Sequence, residues 1–105
     1  MGYGLDALCQ CGFKDYVLFG VGFEAFLNHF NTPAISKRTK KLVTTNIEKP
    51  NASRYFNFYT DPKMFKLAPE INWIEFGEYK LSYDGNFCPG CGEFTMRFEL
   101  GVLWD

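Results

Sequence analysis

The sequence predicts an α+β fold in which a small antiparallel β-sheet carries two close cysteine pairs, with one to three short helices inserted between the pairs. Three observations support this class. The segment 94–102 after Cys91 alternates apolar and polar side chains, which is the period of a half-buried strand. Apolar side chains recur at i, i+3, i+4 and i+7 from Phe23, which is the period of a helix face. Aromatic residues make up 19% of the chain, enough bulky side chains to close one core.

Helices are expected in three places between the cysteine pairs. The pattern that begins at Phe23 predicts a short helix over 24–30. Thr32-Pro33 resembles a helix start, because Thr can cap the first turn and Pro lacks a donor that this turn leaves unpaired anyway. The body of that second helix is predicted over 34–44. Thr60-Asp61-Pro62 predicts a turn or short helix through Leu67.

Strand-forming residues dominate the remaining segments. The predicted strands are 13–23, 54–59, 71–76, 79–83 and 94–102. Gly77 is expected to form a β-bulge between two of them, and Asp84-Gly85-Asn86 predicts a hairpin turn. We expect one domain over 1–105, with an insertion of 76 residues between Cys11 and Cys88.

The composition excludes several classes of protein. With 47% hydrophobic and 22% charged residues, the chain is an ordinary globular one and not a disordered one. Its net charge of −1 provides no overall attraction to nucleic acid or to a membrane. The apolar runs are far shorter than the about 20 residues of a membrane helix, and the first residues do not resemble a secretory leader. We therefore expect a cytoplasmic protein without membrane contact.

The four cysteines form two close pairs, Cys9-Gln10-Cys11-Gly12 and Cys88-Pro89-Gly90-Cys91-Gly92. In an intracellular chain such pairs favour a shared metal ion over disulfides, which cytosolic reductants remove. Zinc takes four thiolates in a tetrahedron, and iron accepts the same ligands. Glycine after the second cysteine of each pair permits the positive φ of a tight turn. The predicted metal ligands are Cys9, Cys11, Cys88 and Cys91.

Two other interpretations of the cysteines remain open. The spacing of Cys88 and Cys91 is also that of a thiol–disulfide redox motif, but such motifs usually precede a helix, and a strand is predicted here. The cysteines can also be small core residues. His29, the only histidine, is a further candidate ligand in place of Cys9, although a purely structural role is the simpler expectation.

The two cysteine segments resemble the paired knuckles of zinc-ribbon, or rubredoxin-like, proteins, where a knuckle is a tight turn that presents two cysteines. The stretch from Met1 to Phe23 is also similar to small uncharacterised bacterial proteins of this kind. The resemblance implies a knuckle at the tip of each of two β-hairpins and one structural zinc bound by all four cysteines. It covers only the two ends of the chain. One residue separates Cys9 from Cys11, where zinc ribbons have two.

Charge is unevenly distributed along the chain. Segment 37–66 holds eight basic and two acidic residues, a net charge of +6, and the remainder holds three basic and ten acidic residues, a net charge of −7. Cations beside exposed aromatic rings can bind phosphates and stack bases. The candidate nucleic-acid-binding residues are Lys37, Arg38, Lys40, Lys41, Arg54 and Tyr55. The favoured alternative is a solvated helix face next to aromatics that pack in the core.

No catalytic constellation is evident in the sequence. Nothing beside His29 is an obvious nucleophile, and four thiolates would leave zinc no position for a catalytic water. We predict a non-enzymatic domain with a structural Zn²⁺ that acts as a protein-interaction module, with an unidentified protein partner or as a homodimer. The alternatives are a nucleic-acid-binding protein that uses segment 37–66 and a thiol–disulfide redox protein.

Overall fold

A computed structural model describes the backbone of residues 2–21, 30–66 and 72–104, and the side chains of these residues up to Gly101. Within these ranges the chain is almost entirely antiparallel β-structure, with one α-helical turn, α1, and one 3₁₀ turn. None of these ranges contains a helix long and apolar enough to cross a membrane. The elements are β1 (Gly2–Cys9), β2 (Lys14–Gly20), β3 (Asn31–Ser36), β4 (Leu42–Asn46), α1 (Ala52–Tyr55), β5 (Phe56–Phe58), the 3₁₀ turn (Pro62–Met64), β6 (Trp73–Phe76), β7 (Tyr79–Ser82), β8 (Asn86–Phe87) and β9 (Phe94–Trp104).

Seven strands form one sheet and two form a separate hairpin. The sheet has the order β4-β3-β2-β1-β9-β8, and β5 pairs with β3 outside this path. Strands β6 and β7 pair only with each other. The predicted α+β class is therefore wrong: the structure is a curled antiparallel sheet in which helical residues are limited to two short turns.

The centre of the sheet is β1, which the sequence analysis did not recognise as a strand. Gly2 and Gly4 interrupt its apolar pattern, yet both are buried between β2 and β9. At the other end of β1, Leu8 pairs with Lys14 of β2 and Cys9 pairs with Met96 of β9. This antiparallel register places the β1–β2 loop and the β8–β9 loop at the same end of the sheet.

The helix predicted over 34–44 is wrong, because this segment forms the β3–β4 hairpin. Its pairing runs from Asn31–Asn46 to Ile35–Leu42. A strand can accommodate Pro33 here because its nitrogen does not face a strand that needs a donor. The Tyr59 N–H donates to the Pro33 carbonyl at 3.1 Å, and the nitrogen of a strand residue points to the same side as its carbonyl. On that side, pairing with β2 ends at Asn31 and pairing with β5 begins at Ala34. The other helix, predicted over 24–30, lies almost wholly outside the described residues.

Most of the predicted strands are confirmed. Segments 13–23, 71–76 and 79–83 contain the shorter strands β2, β6 and β7, and segment 94–102 lies within the longer strand β9. Segment 54–59 begins as α1 and becomes a strand only at β5. Gly77 does not form a bulge, because Phe76 pairs with Tyr79 and leaves Gly77, at φ 61°, as the first residue of a two-residue hairpin turn.

The core is built largely from aromatic side chains. Phe19, Tyr59 and Phe98 are fully buried, and the Tyr59 and Phe98 rings meet edge to face at 5.2 Å. The Tyr59 hydroxyl donates to the Phe87 carbonyl, the residue before Cys88. The same core cluster includes Cys9 and Cys88, so the cysteine end of the sheet is packed directly on the hydrophobic core.

Candidate metal centre

Two hairpin loops carry the four cysteines, and both loops close with the same pattern of backbone hydrogen bonds. In the β1–β2 loop, the Cys9 N–H donates to the Phe13 carbonyl at 3.0 Å and the Gly12 N–H donates to the Cys9 carbonyl at 3.0 Å. In the β8–β9 loop, the Cys88 N–H donates to the carbonyl of Glu93 at 2.8 Å, and the Gly92 N–H returns to the Cys88 carbonyl at 2.8 Å. The two loops are therefore near-equivalent turns, and the second is longer by one residue.

A glycine closes each loop in a backbone conformation that other residues rarely adopt. Gly12, directly after Cys11, has φ 99°, and Gly92, directly after Cys91, has φ 75°. A Cβ added at either glycine meets no heavy atom within 4 Å, so the requirement is conformational and not steric. The prediction that glycine after the second cysteine permits a tight turn is confirmed at both loops.

The loops bring all four sulfur atoms together. The four Sγ atoms lie within 4.8 Å of one another. The Cys9 and Cys91 Sγ atoms are 3.8 Å apart, and those of Cys11 and Cys88 are 3.7 Å apart. A tetrahedral ion with metal–sulfur bonds of about 2.3 Å separates its ligands by about 3.8 Å. The four thiols can therefore hold one metal ion.

The two shortest sulfur–sulfur contacts, Cys9–Cys91 and Cys88–Cys11, each join a buried cysteine of one loop to an exposed cysteine of the other. Cys9 and Cys88 are buried, whereas Cys11 and Cys91 are exposed. All four thiols are free, and the Sγ–Sγ separations far exceed the about 2.05 Å of a disulfide bond. The site thus has an inner side that faces the core and an outer side that faces solvent.

Hydrogen-bond donors surround the sulfur atoms. The Thr95 hydroxyl lies 3.1 Å from the Cys9 Sγ and 3.7 Å from the Cys91 Sγ, so it contacts one sulfur from each loop. The Gly90 N–H donates to the Cys88 Sγ at 3.3 Å. Such donors stabilise thiolates and orient metal ligands. Thr95 was missed in the sequence analysis; its place four residues after Cys91 on the alternating segment was the signal that could have identified it.

The pKa values of the two buried thiols are shifted in opposite directions. A backbone hydrogen bond from Cys11, followed by the hydrogen bond from Thr95, lowers the pKa of Cys9 to about 6. Burial raises the pKa of Cys88 to about 12, against the effect of backbone hydrogen bonds from Cys91 and Gly90. A bound cation favours the thiolate at both positions, since a metal-coordinated thiol is deprotonated outright. Cys9 therefore favours the thiolate without a cation, whereas Cys88 favours the neutral thiol until a cation binds.

No second cluster of ligand residues occurs in the described parts of the chain: the four cysteines are the single group there of three or more Cys, His, Asp or Glu residues able to share an ion. His29, the candidate substitute for Cys9, lies outside the described residues. Cys9 itself is within ligand distance of the other three cysteines, despite the one-residue spacing to Cys11.

The candidate nucleic-acid-binding residues occupy a different surface from the cysteines. The expected helix face is wrong for the four candidates Lys37, Arg38, Lys40 and Lys41, which belong to the β3–β4 turn and its margin. The other two candidates, Arg54 and Tyr55, belong to α1. Four of the six candidates line one open cavity of about 720 Å³, together with Ser36, Thr39 and Phe56: Lys37, Arg38, Arg54 and Tyr55. Lys40 lines a different cavity of about 400 Å³, and Lys41 is exposed directly before β4.

Comparison with known proteins yields no relative: no protein-family model, no curated protein and no solved structure matches the chain. The four-cysteine cluster is compatible with a zinc-ribbon-like site, since each cysteine pair sits in a β-hairpin loop. Membership of the zinc-ribbon family and a bacterial origin have no support in these comparisons. The class that fold and site define is therefore an antiparallel β-protein with a four-cysteine cluster able to hold a metal.

Proposed function

We propose that Cys9, Cys11, Cys88 and Cys91 bind one structural zinc ion and that the chain is a non-enzymatic, zinc-ribbon-like domain. One observation carries this proposal: four sulfur atoms from both ends of the sequence lie within 4.8 Å of one another without a disulfide. Four thiolates complete the tetrahedron of zinc and leave no position for a catalytic water. The ion then acts on folding, because it joins two loops that 76 residues separate along the chain.

The redox alternative has weaker support than the structural one. A reactive cysteine pair usually sits at a helix N-terminus, where the backbone dipole stabilises a thiolate. Here strand β9 follows Cys91, and Cys88 is buried against the core. Free thiols arranged as ligands accord with a reducing compartment, so we place the protein in the cytoplasm.

The partner of the domain is proposed to be another protein or a second copy of the chain. Large exposed hydrophobic residues that such a partner can cover are Tyr16 on β2, Tyr55 on α1 and Leu100 on β9. These residues lie on separate elements, so a partner would contact them within a larger, mixed surface.

Metal analysis of the reduced, purified protein tests the zinc proposal. We expect one zinc per chain, and we expect Cys91→Ser to lose the metal and unfold, since the cysteine cluster is packed on the core. Gln10→Ala is the matched control, because Gln10 is exposed in the same loop as two ligands and contributes no sulfur. Iron in place of zinc would overturn the identity of the ion. A metal-free protein with the same melting temperature in the presence of a chelator would overturn the structural role.

A further inference from the structure

We infer that the cavity between the β3–β4 turn and α1 is a binding site for single-stranded nucleic acid. The site is called here the basic–aromatic surface and consists of Lys37, Arg38, Arg54 and Tyr55 around this cavity. This inference goes beyond the proposed zinc site and does not require a particular metal, because none of these residues is a candidate ligand.

The positive charge of this surface is exposed and little neutralised. All eight basic residues of segment 37–66 are exposed. Among the described residues, only Lys63 of these eight lies within salt-bridge distance of a carboxylate, Asp61 at 4.0 Å. Three of the exposed basic residues, Lys37, Arg38 and Arg54, line the same cavity, and such a cluster of cations attracts a polyanion.

Tyr55 supplies the stacking platform. Its side chain is 59% exposed, whereas Phe58 and Tyr59, which follow it closely, are buried in the core. The alternative that the aromatics of this segment pack in the core does not hold for Tyr55, which lines the cavity beside Arg54 and Phe56. An exposed ring among cations is the arrangement that stacks unpaired bases while the cations contact phosphates.

The parts of the surface are held in place by the fold. The Lys37 N–H donates to the Tyr55 carbonyl at 2.9 Å, and the Lys37 Nζ donates to the Ser53 carbonyl at 2.9 Å. Ser36 pairs with Phe56 across β3 and β5. These contacts connect the backbone of the turn to that of α1 and hold the Lys37 side chain, so the two elements that carry the cations and the ring keep their relative position when a ligand binds.

A second cavity lies on the opposite face of the β3–β5 pair. Ile35 and its partner Asn57 line it, whereas the next pair, Ser36 and Phe56, lines the larger cavity. The β3–β4 turn lines both cavities, since Lys37 to Thr39 face the larger one and Lys40 faces the smaller one. The smaller cavity also contains Phe87 and Phe94, and the Lys66 Nζ lies 5.0 Å from the centre of the Phe94 ring. The smaller cavity is therefore a separate surface, and the proposed site is the larger cavity alone.

A single strand fits this surface better than a duplex. The rings are useful only to bases that are unstacked and unpaired, and a duplex offers none. The sheet and turns present no helix of groove-reading length in the described parts of the chain, where α1 has four residues. A duplex would thus gain only the phosphate contacts.

Fluorescence anisotropy with a labelled oligothymidylate of about 12 nucleotides tests the inference. We expect binding by the metal-loaded wild-type protein at about 50 mM salt that weakens strongly toward about 200 mM. Tyr55→Ala should weaken binding about fivefold or more, and Arg38→Ala with Arg54→Ala should lower the slope of log affinity against log salt by about 1.4. The matched controls are Lys14→Ala and Tyr16→Ala, an exposed cation and an exposed tyrosine of β2, and both should leave binding unchanged.

Several outcomes would overturn the inference. Absence of binding at about 50 mM salt rejects it outright. If the β2 controls lose as much affinity as the site variants, binding takes place elsewhere on the protein. If a duplex binds as tightly as the single strand and Tyr55→Ala has no effect, the binding is nonspecific charge attraction. Equal binding of poly-glutamate assigns the surface to an acidic protein. A salt-sensitive dimer that Arg38→Ala with Arg54→Ala disrupts assigns it to a second copy. Metal content is measured in parallel, so failure here leaves the zinc proposal untouched.

Discussion

The Sγ atoms of Cys9 and Cys91 lie 3.8 Å apart although 82 positions separate the two residues in the sequence. The contact follows from the sheet: Cys9 ends β1, Met96 lies opposite it on β9, and Cys91 belongs to the loop that leads into β9. The pairing of the first strand with the last therefore assembles the cysteine cluster. A metal bound there links two loops near the ends of the sequence, and because the closed loop is long, it restricts the unfolded chain more than a link between neighbouring residues would.

Thr95 is predicted to tune metal affinity. Its hydroxyl lies 3.1 Å from the Cys9 Sγ and 3.7 Å from the Cys91 Sγ, so Thr95→Val removes a hydroxyl that can donate to either sulfur, with little change in volume. We expect about tenfold weaker zinc binding, measured by competition with a chromophoric chelator, and an unchanged β-sheet circular dichroism spectrum. Thr95→Ser keeps the hydroxyl and should retain the wild-type affinity. Equal affinities of the Val and wild-type proteins would show that the hydroxyl has no role.

Gly85 is predicted to be the most sensitive glycine among those the structure describes. It has φ 70°, and an added Cβ would lie 2.6 Å from the carbonyl oxygen of Lys66, whose own N–H donates to the Gly85 carbonyl at 2.9 Å. Gly85→Ala should reduce the free energy of unfolding by about 2–3 kcal/mol, because strain and a backbone collision add. The control is Gly92→Ala, which has a similar φ of 75° but open space, and should cost about 1 kcal/mol. Urea unfolding of both variants measures the difference, and equal losses would rule out the collision.

Tyr59 is predicted to make stability depend on pH in the alkaline range. Burial, with the nearby Cys88 as a second cause, raises the pKa of the Tyr59 phenol above its usual range. The neutral phenol is therefore favoured in the folded state, and its contribution is complete below the unfolded pKa of about 10 and is lost as the pH rises beyond it. Tyr59→Phe should lose about 1 kcal/mol at neutral pH, because the Phe87 carbonyl loses its donor.

The test of this prediction is the difference in unfolding free energy between wild type and Tyr59→Phe, followed from neutral pH to above pH 10. The difference should shrink in the alkaline range, since only the wild-type protein carries the phenol. Tyr16→Phe is the control, because Tyr16 is 45% exposed. A difference that stays constant with pH would contradict the role assigned to the buried phenol.

Lys40 is predicted to be a strained position of the β3–β4 turn. It has φ 62°, a conformation that residues with a Cβ adopt at a cost, and its N–H donates to the Ser36 carbonyl at 2.8 Å to close the turn. Lys40→Gly should raise the free energy of unfolding by about 0.5–1 kcal/mol in urea. Asn51, at φ 63°, is the matched control, since Asn tolerates this region and Asn51→Gly should gain less. A loss of stability in Lys40→Gly would show that the turn needs lysine for another reason.

The sequence was sufficient for features that depend on local chemistry. The alternation over 94–102 predicted β9 because it records which side chains of a strand face the core, and the glycines after Cys11 and Cys91 predicted two tight turns because only glycine adopts their φ cheaply. The four cysteines were predicted as one group, and the structure brings their sulfur atoms together.

Strand pairing, by contrast, was visible only in the tertiary structure. Thr32-Pro33 and the lysine-rich segment after it fit a helix start locally. The structure nevertheless buries β3 on both faces, and the backbone bonds of β3 to its hairpin partner β4 and to the more distant β5 outweigh that local preference. Gly2 and Gly4 similarly interrupt the apolar pattern of β1, so the sequence pattern did not predict this central strand. The sequence by itself therefore determined the four candidate ligands and the turns that carry them, because these features depend on neighbouring residues alone. Only the tertiary structure decided which strands lie side by side, and hence where the cysteine loops meet and which aromatic ring, that of Tyr55, stays in solvent.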